Sequence, residues 1–167
     1  DTHDIAIDDV TFFDFIPGAG QAPQPGVAVM DINTALSPGL NGVASGDKGP
    51  YSTTVDVGGL LNFDFTGEAN QTILLLLGAK NPLAASFSGI GSIDIGGPVD
   101  MTGIPTLITV FADGSIPSGF NPFFNTTSLG LCNVFFTMPP VPAGILTTFQ
   151  AVIFRAAAPG LALTNAI

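Results

Sequence analysis

Residues 138–167 read MPPVPAGILTTFQAVIFRAAAPGLALTNAI, and their pattern decides the fold class. Three prolines, Pro139, Pro140 and Pro142, lead into an apolar run over residues 145–154. Ala158-Pro159-Gly160 then turns the chain into a second run, 161–167. Two strand-like runs around a Pro-Gly turn read as a hairpin or a corner between two sheets. In the first run Phe149, Ala151 and Ile153 share one face, and Gln150, Val152 and Phe154 share the other. Both faces are largely apolar, so this strand is expected to be buried on both sides. In the second run Leu161, Leu163, Asn165 and Ile167 fall on one face, with Ala162, Thr164 and Ala166 opposite.

The same grammar extends outward through the chain. Residues 5–15 (IAIDDVTFFDF) form a first strand candidate whose phase slips at Asp8-Asp9, where a bulge would absorb one residue. A Pro/Gly loop follows, then VAVMDIN at 27–33. Residues 53–65 alternate most clearly: Val55, Val57, Leu61, Phe63 and Phe65 against Thr54, Asp56, Asn62 and Asp64. Gly58-Gly59 within that run reads as a bend that keeps the phase. TILLLL at 72–77 reads as a buried strand and Lys80-Asn81-Pro82 as a turn. Further candidates are 87–95, 106–112 and 129–138. The expectation is an all-β protein, a β-sandwich or jelly roll of about ten strands with an N-terminal strand on a Pro/Gly hinge. It divides into a strand arm at 1–16, a hinge at 17–26 and a sandwich domain at 27–167.

Composition narrows the function. Thirteen acidic residues against three basic ones give a net charge of -10. A surface without a basic patch is not one that neutralises phosphates, so no nucleic-acid partner is expected. No apolar run approaches the ~20 residues of a membrane-spanning helix, so no membrane insertion is expected. Charged residues are only 10% of the chain, and the lysines are Lys48 and Lys80 alone. Monomeric β-proteins protect sheet edges with charge, lysine above all. A deficit of surface polarity is readily understood if copies bury it against one another.

Catalytic chemistry has few residues to work with. The single histidine, His3, stands outside the body of the chain, which leaves no base for a nucleophilic triad. One His and one Cys cannot build a zinc site. No Trp and one Tyr offer little to stack a sugar between paired carboxylates. The chain reads as a non-enzyme. Cys132 in LGLCNVFF reads as a small buried apolar residue. Among candidate ligands, Asp8, Asp9 and Asp14 are hard oxygen donors suited to calcium. Asp1 and His3, with a free α-amine, match an amino-terminal copper pattern. Asn70-Gln71-Thr72 and Asn125-Thr126-Thr127 are glycosylation sequons. No cofactor beyond calcium is called for.

Three pieces, ILLLLGAKNP (73–82), FSGIGSIDIGGP (87–98) and TTFQAVIFRAAAPGLALTNAI (147–167), resemble the closing β-domain of an uncharacterised group of secreted bacterial β-sandwich proteins. The resemblance implies secretion and an all-β fold. With a chain that opens on Asp1, it leads to an expected extracellular or cell-surface location after signal-peptide removal. The arm on its hinge is also loosely similar in architecture to donor-strand filament subunits. Ile5, Ile7, Val10, Phe12, Phe13 and Phe15 give the arm apolar character on both faces. The expected function is therefore a structural subunit of an extracellular filament, sheath or surface layer, its partner another copy of itself. The alternative is a secreted adhesion or ligand-binding module, calcium-dependent through its acids.

Overall fold

A computed structural model describes residues 20–36, 48–116, 124–141, 144 and 147–167. The first strand candidate, 5–15, lies outside them. Nine strands and no α-helix occur among the described residues: β1 (Ala28–Ile32), β2 (Leu60–Gly67), β3 (Ile73–Gly78), β4 (Lys80–Phe87), β5 (Gly91–Ile95), β6 (Thr109–Asp113), β7 (Leu131–Thr137), β8 (Thr148–Phe154) and β9 (Leu161–Leu163). The protein is all-β, and every strand pair is antiparallel.

One sheet has the order β1-β2-β7 and a second the order β6-β3-β8-β9, with β4-β5 a separate hairpin. Both sheets feed one core, Val29, Met30, Phe63, Phe65 and Val134 from the first and Ile73, Leu75, Phe149, Ala151 and Ile153 from the second. The leucine run of β3 is apolar on both faces because both are used. Ile73 and Leu75 enter this main core, while Leu74 and Leu76 join a second, smaller one with Ile93, Ile95, Ile108, Val152 and Ala166. The β4-β5 hairpin therefore covers the outer face of the second sheet. Each fully buried large apolar side chain contributes about 1.5–3 kcal/mol, so the two cores dominate the folding energy.

Alternation in β2 is as the sequence reads it from Leu61 onward, with Phe63 and Phe65 buried. Residues 53–59 do not belong to that strand. Gly58 takes φ 77, and the Gly59 N–H donates to the Asp56 carbonyl at 2.8 Å. The glycine pair closes a turn, which only residues without a Cβ adopt without strain. Lys80-Asn81-Pro82 is likewise not a turn but the start of β4. The register of β4 on β5 shifts between Lys80 and Ala85, and Leu83 sits at φ 58. Pro82 is accommodated in that irregular stretch, where a missing N–H breaks no regular ladder.

The closing hairpin forms as read, Val152, Ile153 and Phe154 pairing with Leu163, Ala162 and Leu161. Its second limb departs from simple alternation. Ala162 and Ile167 lie in the main core and Ala166 in the smaller one, so the phase slips between 162 and 166. Thr164 causes the slip: its N–H donates to the Ala151 carbonyl, and its Oγ1 accepts the Ala151 N–H in place of a backbone oxygen. Regular pairing resumes at the end, where Ile167 and Phe149 exchange both backbone bonds at 2.7 and 2.9 Å.

Candidate interaction surface

Two sheets of three and four strands have four outer edges, and the protein treats them unequally. On one side β1 approaches the chain's closing limb. The Met30 N–H donates to Asn165 Oδ1 at 3.1 Å, and Asn165 Nδ2 donates to the Met30 carbonyl at 2.8 Å. One buried side-chain amide thus serves the outward-facing backbone of β1 as a neighbouring strand would. Ala28 beside it exchanges backbone bonds with Gln24. Gln24 Nε2 donates to the Leu163 carbonyl at 2.9 Å.

The second sheet's limb on that side is occupied too. Tyr51 N–H donates to the Ala166 carbonyl at 2.9 Å, and Gly20 and Gly49 are joined by Gly20 N–H to Gly49 O at 2.9 Å and Gly49 N–H to Gln21 O at 3.1 Å. The described part of the hinge, Gly20 to Gly26, is therefore pinned to the body. Asp94 completes the anchor. Its carboxylate, fully buried, accepts from the Gln21 N–H, the Leu83 N–H at 3.0 Å and the Ser92 hydroxyl at 3.2 Å. Burial pushes the Asp94 carboxyl above its usual pKa, against the pull of these three donors. Gln150 ties the same region to β8: its Oε1 accepts the Asp94 N–H, and its Nε2 donates to the Ser92 and Thr164 carbonyls, each at 2.8 Å.

The opposite seam, between β7 and β6, is built differently. Aromatic rings fill it: Phe111 of β6 meets Phe136 of β7 edge-on at 5.2 Å and Phe149 at 5.5 Å. Phe63 meets Phe149 at 5.1 Å, and Phe124 stacks on Phe136 at 6.2 Å. Phe124 is buried here. Such ring pairs add about 0.5–1.5 kcal/mol each beyond burial. The rings close the core, but among the described residues no strand pairs with the outer edge of β6 or of β7.

Exposed apolar side chains occur on both strands of this seam and on the loop before β6. Val99, Met101, Ile104 and Leu107 lead along the loop into β6, which itself exposes Val110 (52%) and Phe111 (42%). Leu129, Leu131 and Phe135 stand out from β7 and the turn before it. Three consecutive β6 residues, Thr109 to Phe111, are exposed, whereas β7 alternates exposed and buried positions. The sequence does not reveal this. TLITVFA at 106–112 looks like a buried strand, and its edge position follows from topology rather than from any local signal.

The acids among the described residues act chiefly as acceptors for their own surroundings. Asp100 receives the Thr102 hydroxyl and amide and the Ile104 amide, which hold its pKa below the usual value. Asp113 receives the Ser115 hydroxyl and amide. Glu68 receives the Arg155 guanidinium at 2.6 Å, which lowers its pKa and ties two turns together. Among the described residues no group of three or more metal-ligating side chains is assembled. The arm residues Ile5, Ile7, Val10, Phe12, Phe13 and Phe15, the calcium candidates Asp8, Asp9 and Asp14, and the copper candidates Asp1 and His3 all lie outside the described residues.

The two sequons are brought together, strand against strand. Asn70 N–H donates to the Thr127 carbonyl, Thr126 N–H to the Gln71 carbonyl, and the Thr72 hydroxyl to Asn125 Oδ1 at 3.0 Å. Asn70 is exposed on a turn at φ 57, while the Asn125 amide is half-buried and engaged. Comparison with protein-family models, with curated proteins and with solved structures gives no match in any of the three.

Proposed function

We propose that the protein is a structural subunit of an extracellular filament, sheath or surface layer, a β-sandwich that assembles with copies of itself through strand addition and apolar contacts. The observation that carries this reading is the unequal treatment of the two seams. One is closed by side-chain and backbone hydrogen bonds. The other leaves two strand edges without strand partners among the described residues, and both strands carry exposed apolar side chains. An open edge offers a row of unpaired backbone groups, and adding a strand satisfies them while side chains supply specificity. A chain with 10% charged residues and two lysines has little on its surface to oppose such contacts.

Size-exclusion chromatography with negative-stain microscopy of the full chain tests the reading. Ordered polymers or sheets are the expected result. A stable monomer across micromolar to millimolar concentration overturns it and favours a secreted adhesion or ligand-binding module, with calcium addition as the next measurement.

A further inference from the structure

We infer that Met101 is a sacrificial oxidation site: hydroperoxides oxidise the folded protein at this thioether, in preference to its other sulfur atoms and without loss of the fold. The inference is independent of the polymer reading above.

Four side chains carry sulfur, Met30, Met101, Met138 and Cys132, and all four are among the described residues. Met30 is fully buried in the main core, and Met138 is 7% exposed. Cys132 is buried too, which pushes its thiol pKa up to about 11, so at neutral pH it offers little of the nucleophilic thiolate. Met101 is 106% exposed. A thioether has no proton to lose, so access alone decides which methionine reacts first.

The loop that carries Met101 explains why the side chain does not fold back. Val99 bridges Pro105, the Gly97 N–H donates to the Thr106 carbonyl at 2.6 Å, and the Thr106 N–H donates to the Pro98 carbonyl at 3.1 Å. At the tip the Asp100 N–H donates to the Ile104 carbonyl at 2.9 Å and the Gly103 N–H to the Asp100 carbonyl at 3.0 Å. Asp100 Oδ1 accepts the Thr102 N–H, the Thr102 hydroxyl and the Ile104 N–H. Gly103, at φ 80, closes the turn in a conformation that glycine adopts without strain. Backbone and Asp100 thus hold the tip by themselves. Every residue from 98 to 104 is exposed, so no neighbour covers the thioether.

In the reaction the Sδ lone pair attacks one oxygen of hydrogen peroxide, and an S–O bond forms as the O–O bond breaks. The departing hydroxide takes the proton of the transferred oxygen, giving sulfoxide and water. Sulfur loses two electrons and the peroxide gains them. The product is polar, which disrupts a core. At Met30 the new oxygen would be buried among apolar side chains, whereas at Met101 it meets water.

Hydrogen peroxide treatment of the full chain, kept below the concentration at which it associates and followed by peptide mass mapping, tests this. Met101 is expected to gain oxygen at least about tenfold faster than Met30 or Met138. A smaller ratio to either overturns the inference, as does oxygen uptake at Cys132 ahead of Met101. In urea that unfolds the chain the three methionine rates are expected to converge. A lead for Met101 that persists there would come from local sequence and not from the fold, and overturns the inference. The singly oxidised protein is expected to melt within about 2 °C of the parent, and a larger fall overturns tolerance of the reaction by the fold. Met101→Leu keeps an apolar side chain and removes the sulfur. Its first oxygen uptake, read by intact mass, is expected to slow at least about tenfold, and uptake at the parent's rate overturns the assignment.

Discussion

Asn165 and Met30 form a closed pair: the side-chain amide of one gives and takes a hydrogen bond with the peptide groups of the other, 135 residues earlier in the chain. The pair is fully buried, so neither partner has water to fall back on.

Replacing Asn165 by leucine keeps the volume and removes both bonds, leaving a buried N–H and a buried carbonyl unsatisfied. At about 1–3 kcal/mol for each of the two orphaned groups, the expected loss is roughly 2–6 kcal/mol in urea denaturation. Asn165→Asp separates the two bonds. It keeps an acceptor for the Met30 N–H but sets a carboxylate oxygen against the Met30 carbonyl. Asn165→Asp is therefore expected to be less stable than Asn165→Leu at pH 7 and to recover as the pH falls and the introduced acid takes up a proton.

Gln150 holds the β4-β5 hairpin to β8 through two bonds, with a third to the Thr164 carbonyl, and its removal should loosen that layer before the rest. In Gln150→Ala the hydrogen-exchange protection of the Asp94 amide is expected to fall at least tenfold more than that of Phe63, because the side-chain bonds of Gln150 go to Ser92, Asp94 and Thr164 and not to β2. Equal losses at both sites would make the molecule a single cooperative unit in which Gln150 has no local role.

Asp94 makes stability depend on pH with a definite sign. Its folded pKa is raised by burial, so the folded state holds the proton more tightly than the unfolded one. Its contribution is fully present below the unfolded carboxylate value and declines as pH rises through the window up to the folded value, leaving the cost of a buried ion at neutral pH. Asp94→Asn does not titrate, and its amide nitrogen faces one of three donors. It is expected to be less stable than the parent, by an amount largest in acid and smaller at pH 7. Melting curves of both proteins from pH 3 to 7 measure the difference, and a gap that widens toward neutrality contradicts the assignment.

How much of this was legible in the sequence depends on what each feature needs. Burial of β8 on both faces, the inward Phe63 and Phe65 and the small buried Cys132 follow from residue type and period alone. Gly58-Gly59 and Lys80-Asn81-Pro82 were misread because the same residues serve turns and bulges alike, and the choice is made by the strand opposite. The slip at Thr164 depends on a hydroxyl standing in for a backbone oxygen, which no period announces. The exposed edge of β6 is further out of reach. Val110 and Phe111 have the apolar signature of an interior strand, and only the sheet order leaves them on the outside.

The net charge of -10 sets one more expectation for assembly. Copies repel at long range, and the arm adds Asp4, Asp8, Asp9 and Asp14 to the approach. Raising ionic strength from 0.01 to 0.15 M shortens the screening length from about 30 to about 8 Å. Light scattering should show faster polymer growth at the higher salt. Slower growth would mean that attraction between charges, and not apolar strand addition, drives the contact.

Tyr51 gives the molecule a built-in optical reporter. It is the only tyrosine, and there is no tryptophan, so emission excited near the tyrosine band comes from one ring. That ring packs against the main core and lies beside Gly49, the residue that grips Gly20. Any event that pulls on the start of the described chain acts within van der Waals range of the fluorophore. Quenching or brightening of this single signal can follow subunit joining in real time, with no label attached.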